Sequence, residues 1–168
     1  DGSALATIGW NCNVSCWLDT TTLPTTGSYK IVIDPSSPSN TGAITGRVYD
    51  VSADASTAVT IGGPAQSVST TVGQNAAFTF TGTAGQRVSF TFTANTYPDE
   101  VTLQLTAPDG TMLRHSGCYQ CAFDATTLPT TGTYKISVNP QAINTGSLTT
   151  QLVAAAPSVS SMSPAALG

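Results

Sequence analysis

Four cysteines are the residues best suited to chemistry in this sequence, and they form two close pairs, Cys12-x-x-x-Cys16 and Cys118-x-x-Cys121. A single zinc ion would require both pairs to converge, although roughly a hundred residues separate them and no histidine lies near the first pair. A redox pair would need a helix N-terminus to lower one thiol pKa, and neither region shows helical periodicity. The spacing favours two local disulfides of a secreted protein over these two alternatives.

Three other titratable residues are candidates for acid–base chemistry. His115 is the single histidine, and a surface position is its simpler interpretation. Asp99 and Glu100 are neighbours beside Pro98, and adjacent residues of an extended chain point apart, which indicates a solvated loop rather than a catalytic carboxylate pair. Nucleophile, metal-ligand and phosphate-loop motifs are absent from the sequence. The sequence therefore predicts no catalytic residue, no metal, no cofactor and no enzyme activity.

The amino-acid composition limits the classes of partner that this chain could bind. Charged residues make up 8% of the chain, against roughly 25% in an ordinary soluble domain. With five basic residues and a net charge of −4, the chain has little to offer a phosphate backbone, so nucleic-acid binding is not expected. No apolar run reaches the roughly 18 residues of a membrane span, which argues against membrane insertion. A hydrophobic content of 40% indicates a packed fold rather than disorder.

The segments that must position these residues occur in two copies. Residues 21–35, Thr-Thr-Leu-Pro-Thr-Thr-Gly-Ser-Tyr-Lys-Ile-Val-Ile-Asp-Pro, return 105 residues later as 126–140, with Leu23 matching Leu128. Downstream, residues 40–42 match residues 144–146, and the two cysteine pairs fall at matching places. This period is the length of a small β domain rather than of a solenoid repeat.

Alternating apolar residues predict short strands in both copies. Residues 77–81, 88–92 and 101–105 alternate strictly, residues 29–33 also alternate, and residues 43–51 place Ile44 and Val48 as core candidates. Glycine, proline and asparagine mark the turns between them. The pattern predicts an all-β, antiparallel sandwich in which Tyr29 and Tyr134 occupy the same buried place in two copies. Trp17 and Phe123 are expected to cap the sandwich.

Residues 78–140 carry a resemblance to a known family. They read Phe-x-Phe-x-Gly-x-Ala-Gly-Gln-x-Val-x-Phe, then Val-x-Leu-x-Leu-x-x-Pro-Asp-Gly, then Leu-Pro-x-x-Gly-x-Tyr-x-x-x-Val. This order resembles the bacterial pre-peptidase C-terminal domain over roughly residues 66–153. The resemblance implies a jelly-roll-like, non-catalytic module of secreted and surface proteins. Some relatives bind calcium through acidic residues ahead of the first strand, and residues 62–66 here contain none.

The repeat alignment predicts the domain organisation. Residues 1–54 match only the later half of the module, residues 55–65 read as a linker, and residues 66–155 form a complete module. Residues 156–168 are a tail or the start of a following domain. The predicted fold is thus one complete β-sandwich module and one half-module of the same repeat.

A half-module leaves its apolar side chains without the strands that would cover them. Exposed strand edges recruit other strands, so the sequence predicts head-to-tail assembly through strand complementation, as in an extracellular filament, adhesin or cell-surface protein. The partners would be copies of itself or adjacent modules of the same chain. The alternatives are an accessory substrate- or carbohydrate-binding module of a secreted hydrolase, or a self-contained monomer with Ile31 and Val48 buried by its own chain.

Two smaller features belong to the same region. Trp10 precedes the first cysteine pair and Tyr119 lies within the second, and if exposed they form an interaction surface for carbohydrate or cell-surface components. Asn13-Val14-Ser15 is an acceptor pattern for N-linked glycosylation.

Overall fold

The computed structural model describes residues 3–7, 16–118 and 122–156, and within these ranges the chain forms nine β-strands and no helix. The strands are β1 (Ala55–Ala58), β2 (Gln66–Thr70), β3 (Ala76–Gly82), β4 (Arg87–Asn95), β5 (Val101–Thr106), β6 (Met112–Cys118), β7 (Ala122–Thr127), β8 (Gly132–Pro140) and β9 (Gly146–Ala154). The predicted all-β class is confirmed. A helix long and apolar enough to cross a membrane is not found in the described ranges.

The strands form two sheets packed as a sandwich. The five-stranded sheet has the order β1-β3-β8-β5-β6, and the four-stranded sheet has the order β2-β9-β4-β7. Neighbours are antiparallel except for β1, which runs parallel to β3. Strand β8 therefore needs β3 and β5 as neighbours, and β9 needs β2 and β4. Strands β8 and β9 therefore depend on strands that precede them in the sequence.

The core lies between the sheets and follows from the alternation in the sequence. Strand β5 alternates buried and half-buried residues along its whole length, and β8 does so from Tyr134 onwards. Phe80 of the five-stranded sheet contacts Phe90 of the four-stranded sheet edge to face, with ring centroids 5.4 Å apart. Phe80 also stacks on Tyr134 at 5.2 Å. Burying each aromatic ring stabilises the sandwich by roughly 1.5–3 kcal/mol.

Residues 16–54 contain no strand, so the strands expected at 29–33 and 43–51 are wrong for this chain as it stands. The physical reason is that a strand requires a hydrogen-bonded neighbour, and β3, β5, β2 and β4 are already paired with β8 and β9. Residues 55–65 are predicted by the sequence to be a linker, but they contain β1, which adds an edge strand to the five-stranded sheet.

Candidate interaction surface

Equivalent residues of the two repeat copies differ sharply in exposure. In the second copy the six apolar residues of β8, β9 and the preceding turn are at most 2% exposed: Leu128, Tyr134, Ile136, Val138, Leu148 and Leu152. Their first-copy counterparts form what we call the exposed apolar set: Leu23 (58%), Tyr29 (44%), Ile31 (74%), Ile33 (59%), Ile44 (56%) and Val48 (78%). The expectation that Tyr29 is buried like Tyr134 is therefore wrong, because nothing in the described ranges covers it.

The local structure of the repeat is nevertheless the same in both copies. Tyr134 donates its hydroxyl hydrogen to the carbonyl of Thr130 at 2.5 Å, and its oxygen accepts the Thr130 N–H at 3.2 Å. Tyr29 makes the same two hydrogen bonds with Thr25, at 2.6 and 3.3 Å. This arrangement is a tyrosine corner, in which the ring anchors a backbone turn four residues upstream. The first copy thus holds its turn geometry although its ring is exposed.

The strand register of the second copy shows which residues bury its apolar positions. Ile136 lies opposite Phe78 of β3 on one side and Leu105 of β5 on the other. In the four-stranded sheet, Leu152 of β9 lies opposite Phe90 of β4. The second copy is buried by the aromatic and aliphatic residues of β2 to β5, and in the described ranges no strand pairs with the first copy.

The first repeat contacts the sandwich at the turn between β2 and β3. The hydroxyl of Thr20 donates to the carbonyl of Gly73 at 2.6 Å, and the side-chain amide of Gln74 donates to the carbonyl of Ala53 at 2.6 Å. The N–H of Asn75 donates to a carboxylate oxygen of Asp54 at 3.3 Å. We call this set of contacts the joint.

Packing around Gly73 tightens the joint. Gly73 has a positive φ of 73°, and a Cβ added there would lie 2.9 Å from Cγ2 of Val51. The backbone of the turn at Gly73 therefore lies close to the Val51 side chain, in the segment that precedes β1. In the sequence, residues 73–75 (Gly-Gln-Asn) carry a turn signal, but no motif distinguishes a turn that contacts another segment from one that faces water.

The predicted cysteine and surface sites fall largely outside the described ranges. Cys16 is disulfide-bonded, and none of the described cysteines is free. Cys118 ends β6. The residues that lie outside the described ranges are Trp10, Cys12, Asn13, Tyr119 and Cys121. The pairings Cys12–Cys16 and Cys118–Cys121, the glycosylation of Asn13 and the interaction surface of Trp10 and Tyr119 stay predictions.

The acid–base candidates do not come together. His115 is exposed on β6, and Asp99 is exposed and accepts a hydrogen bond from the side-chain amide of Asn144 at 2.9 Å. Among the residues whose positions are described, no three histidine, cysteine or acidic side chains are grouped to hold a metal ion. Phe123 is buried against Phe90, as expected of a cap, whereas Trp17 is exposed because the first repeat lacks covering strands.

A buried tyrosine that the sequence did not single out holds the loop between β4 and β5. The Tyr97 hydroxyl lies 2.9 Å from the hydroxyl of Thr70, and both residues are buried. Burial raises the pKa of the Tyr97 phenol, against the opposing effect of the hydrogen bond with Thr70. The ring also packs against Gly146, where an added Cβ would meet it at 2.8 Å. Its signal in the sequence is weak because it stands alone between Thr96 and Pro98.

Comparisons with known proteins return solved structures alone. No family model and no curated protein matches the sequence. The chain is similar to a periplasmic inhibitor of g-type lysozyme from Aeromonas hydrophila, at 17% identity over 59% of this chain and 98% of that one, with a TM-score of 0.43. It is also similar to the pre-peptidase C-terminal domain of a collagenase from Bacillus anthracis, at 12% identity over 63% of this chain and 99% of that one, with a TM-score of 0.45. The second match is a domain of the family that the sequence resembles.

Proposed function

We propose that this chain is a non-catalytic structural module of an extracellular surface protein or filament, assembled head to tail through strand complementation. One observation carries the proposal: the exposed apolar set is uncovered, whereas the equivalent residues of the second repeat copy are buried. Six exposed apolar residues in one segment are unusual for a soluble monomer and mark an interaction surface. A contact between one end of a module and the other end of the next repeats without closing, which builds a filament.

The pairing rules of the sandwich support strand complementation over side-chain docking. Residues 27–35 match β8 and residues 42–50 match β9, and each of these two strands is paired on both edges in the structure. The first repeat therefore offers backbone hydrogen-bonding groups as well as apolar side chains, and added strands satisfy both.

Microscopy and light scattering of the native material test the proposal, with a matched pair of substitutions. Ile31→Ser removes a residue whose counterpart Ile136 is buried, whereas Val32→Ser removes an equally exposed residue whose counterpart is Ser137. We expect Ile31→Ser to abolish assembly and Val32→Ser to leave filaments intact. A compact native monomer, or equal effects of the two substitutions, would contradict the proposal.

The cysteine pairs belong to the same proposal as two local disulfides of an extracellular protein. Each would close only a short loop, so it fixes the shape of a loop tip more than it stabilises the fold. Intact-mass measurement should show the chain four hydrogens lighter before reduction than after it, one per cysteine. Four titratable thiols, or one equivalent of bound zinc, would contradict this part of the proposal.

A further inference from the structure

We propose that the exposed apolar set is covered by a segment with the sequence pattern of β1 to β5, supplied by polypeptide outside residues 1–168. This inference rests on the proposed function and specifies the partner. The repeat itself identifies the occupant, because the second copy shows what covers each position. The required partner is half a sandwich of five strands, with the order of apolar residues found between Ala55 and Thr106.

The second copy fixes the register of this cover in the five-stranded sheet. Phe80 pairs with Tyr134 and Phe78 with Ile136, so equivalents of these phenylalanines lie opposite Tyr29 and Ile31. On the other edge Leu103 pairs with Val138, so its equivalent lies opposite Ile33.

The four-stranded sheet gives the same kind of register. Phe90 pairs with Leu152, which places its equivalent opposite Val48. Val68 of β2 pairs with Leu148, which places its equivalent opposite Ile44. Each member of the exposed apolar set that lies in a repeat strand thus acquires a named type of neighbour.

Other segments of this chain are poor candidates for the cover. Strands β2 to β5 already bury the second copy, and a second molecule that lent its own β2 to β5 would expose Tyr134, Ile136 and Leu152 in exchange. Such an exchange buries no additional apolar surface, so it supplies no net driving force. Residues 157–168 are too few to supply four or five strands.

The connection between the cover and the first repeat follows from the turn between β5 and β6. There, Asp109 accepts the Thr111 N–H at 2.9 Å, and Gly110 has a positive φ of 89°. Asp1-Gly2-Ser3 matches Asp109-Gly110-Thr111 in the repeat alignment. A cover whose last strand is followed by Ala-Pro, as β5 is followed by residues 107–108, would therefore lead into Asp1 through the same Pro-Asp-Gly turn.

A chimera tests this inference: a copy of residues 55–108 is joined directly to Asp1 of the full chain. We expect a monomer in which amide hydrogen exchange of residues 29–33 and 44–48 slows by on the order of a hundredfold, because both segments become central strands. The control chimera carries Phe78→Ser and Phe90→Ser in the added copy alone, and its exchange in these segments should match that of the native chain.

The outcomes separate this inference from the proposed function. Protection in the chimera with a monomeric native protein supports the identity of the cover and contradicts the filament. Filaments of the native protein with no protection in the chimera support assembly and overturn the cover proposed here. Protection in both chimeras also overturns it, because the added phenylalanines would then play no part.

Discussion

Tyr29 and Tyr134 show how a residue can keep its local structure without its tertiary environment. Both hydroxyls make the same pair of hydrogen bonds with the backbone four residues upstream. The tyrosine corner is thus encoded by the repeat sequence itself, while burial of the ring depends on strands from elsewhere. Local and tertiary contributions to stability can be separated by comparing the two copies.

Truncation of the two tyrosines should have unequal effects in the native chain. Tyr134→Ala removes a fully buried ring stacked on Phe80 and should lower the free energy of unfolding by about 3–5 kcal/mol. Tyr29→Ala removes an exposed ring and should cost about 1 kcal/mol or less, the value of its hydrogen bonds. Urea unfolding of both variants measures the difference. Equal costs would show that the first copy is covered in solution.

Tyr97 makes stability depend on pH at the alkaline end. Its pKa is raised in the folded state, so its contribution is complete below the unfolded value of about 10 and is lost as pH rises through the folded value. Tyr97→Phe should cost about 1 kcal/mol at neutral pH, through the lost contact with Thr70, and should flatten the alkaline loss. Thr70→Val is the control, since it keeps the titrating phenol. If the free energy of unfolding fell equally with rising alkaline pH in the native and Tyr97→Phe proteins, this assignment would be contradicted.

At the scale of elements, the turn between β2 and β3 both closes the module and holds the preceding segment. Residues 51–54 separate the match to β9 from β1, and the joint ties the last two of them by hydrogen bonds. So short a connection leaves little freedom between one repeat and the next. Successive modules joined in this way would form a stiff array rather than a flexible one.

Gly73→Ala should loosen the joint specifically. The new Cβ is strained by the positive φ and meets Val51 at 2.9 Å, whereas Gly85→Ala at a φ of 82° meets no atom within 4 Å. Each change should cost about 1–2 kcal/mol from the left-handed backbone. Only Gly73→Ala should also accelerate limited proteolysis between Val51 and Ala55. Equal proteolysis of both variants would mean that the joint does not hold in solution.

Alternation in the sequence predicted strands well between residues 76 and 154 and poorly between residues 16 and 54. Alternation placed Phe78, Phe80 and Phe90 in the core because a strand with one buried face has a period of two. The same alternation at Ile31 and Val48 predicted strands that the structure does not form, because alternation reports the preference of a segment and not the presence of its neighbours.

Two features of the structure, strand β1 and the joint, could not be predicted from the sequence. Strand β1 is short, and Ser56 and Thr57 within it also suit a loop, so its parallel pairing with β3 gave no periodic signal. The joint depends on Gln74 and Thr20, whose side chains would serve equally well on a solvated surface. Such contacts follow from tertiary placement, which no local pattern encodes.

At the scale of the whole molecule, the repeated sequence occurs in two copies, while the segment from β1 to β5 occurs once in residues 1–168. In this structure, strands β2 to β5 pair with β8 and β9 of the second copy. The first copy keeps its tyrosine corner and its contacts at the joint, while its apolar residues are exposed. Under the proposed function, assembly would complete a fold rather than dock two finished surfaces.

A matched pair of glycines reports this completion directly. Gly146→Ala should cost about 1–3 kcal/mol in the native chain, because its Cβ would lie 2.9 Å from the backbone nitrogen of Tyr97, which cannot move aside. Its counterpart Gly42 has no atom within 4 Å of an added Cβ, so Gly42→Ala should be neutral within about 0.5 kcal/mol. In the chimera, the added copy supplies a second Tyr97, and Gly42→Ala should then become as costly as Gly146→Ala. Thermal unfolding of the four variants measures both steps, and a Gly42→Ala change that stays neutral in the chimera would show that the first repeat is not completed as the second one is.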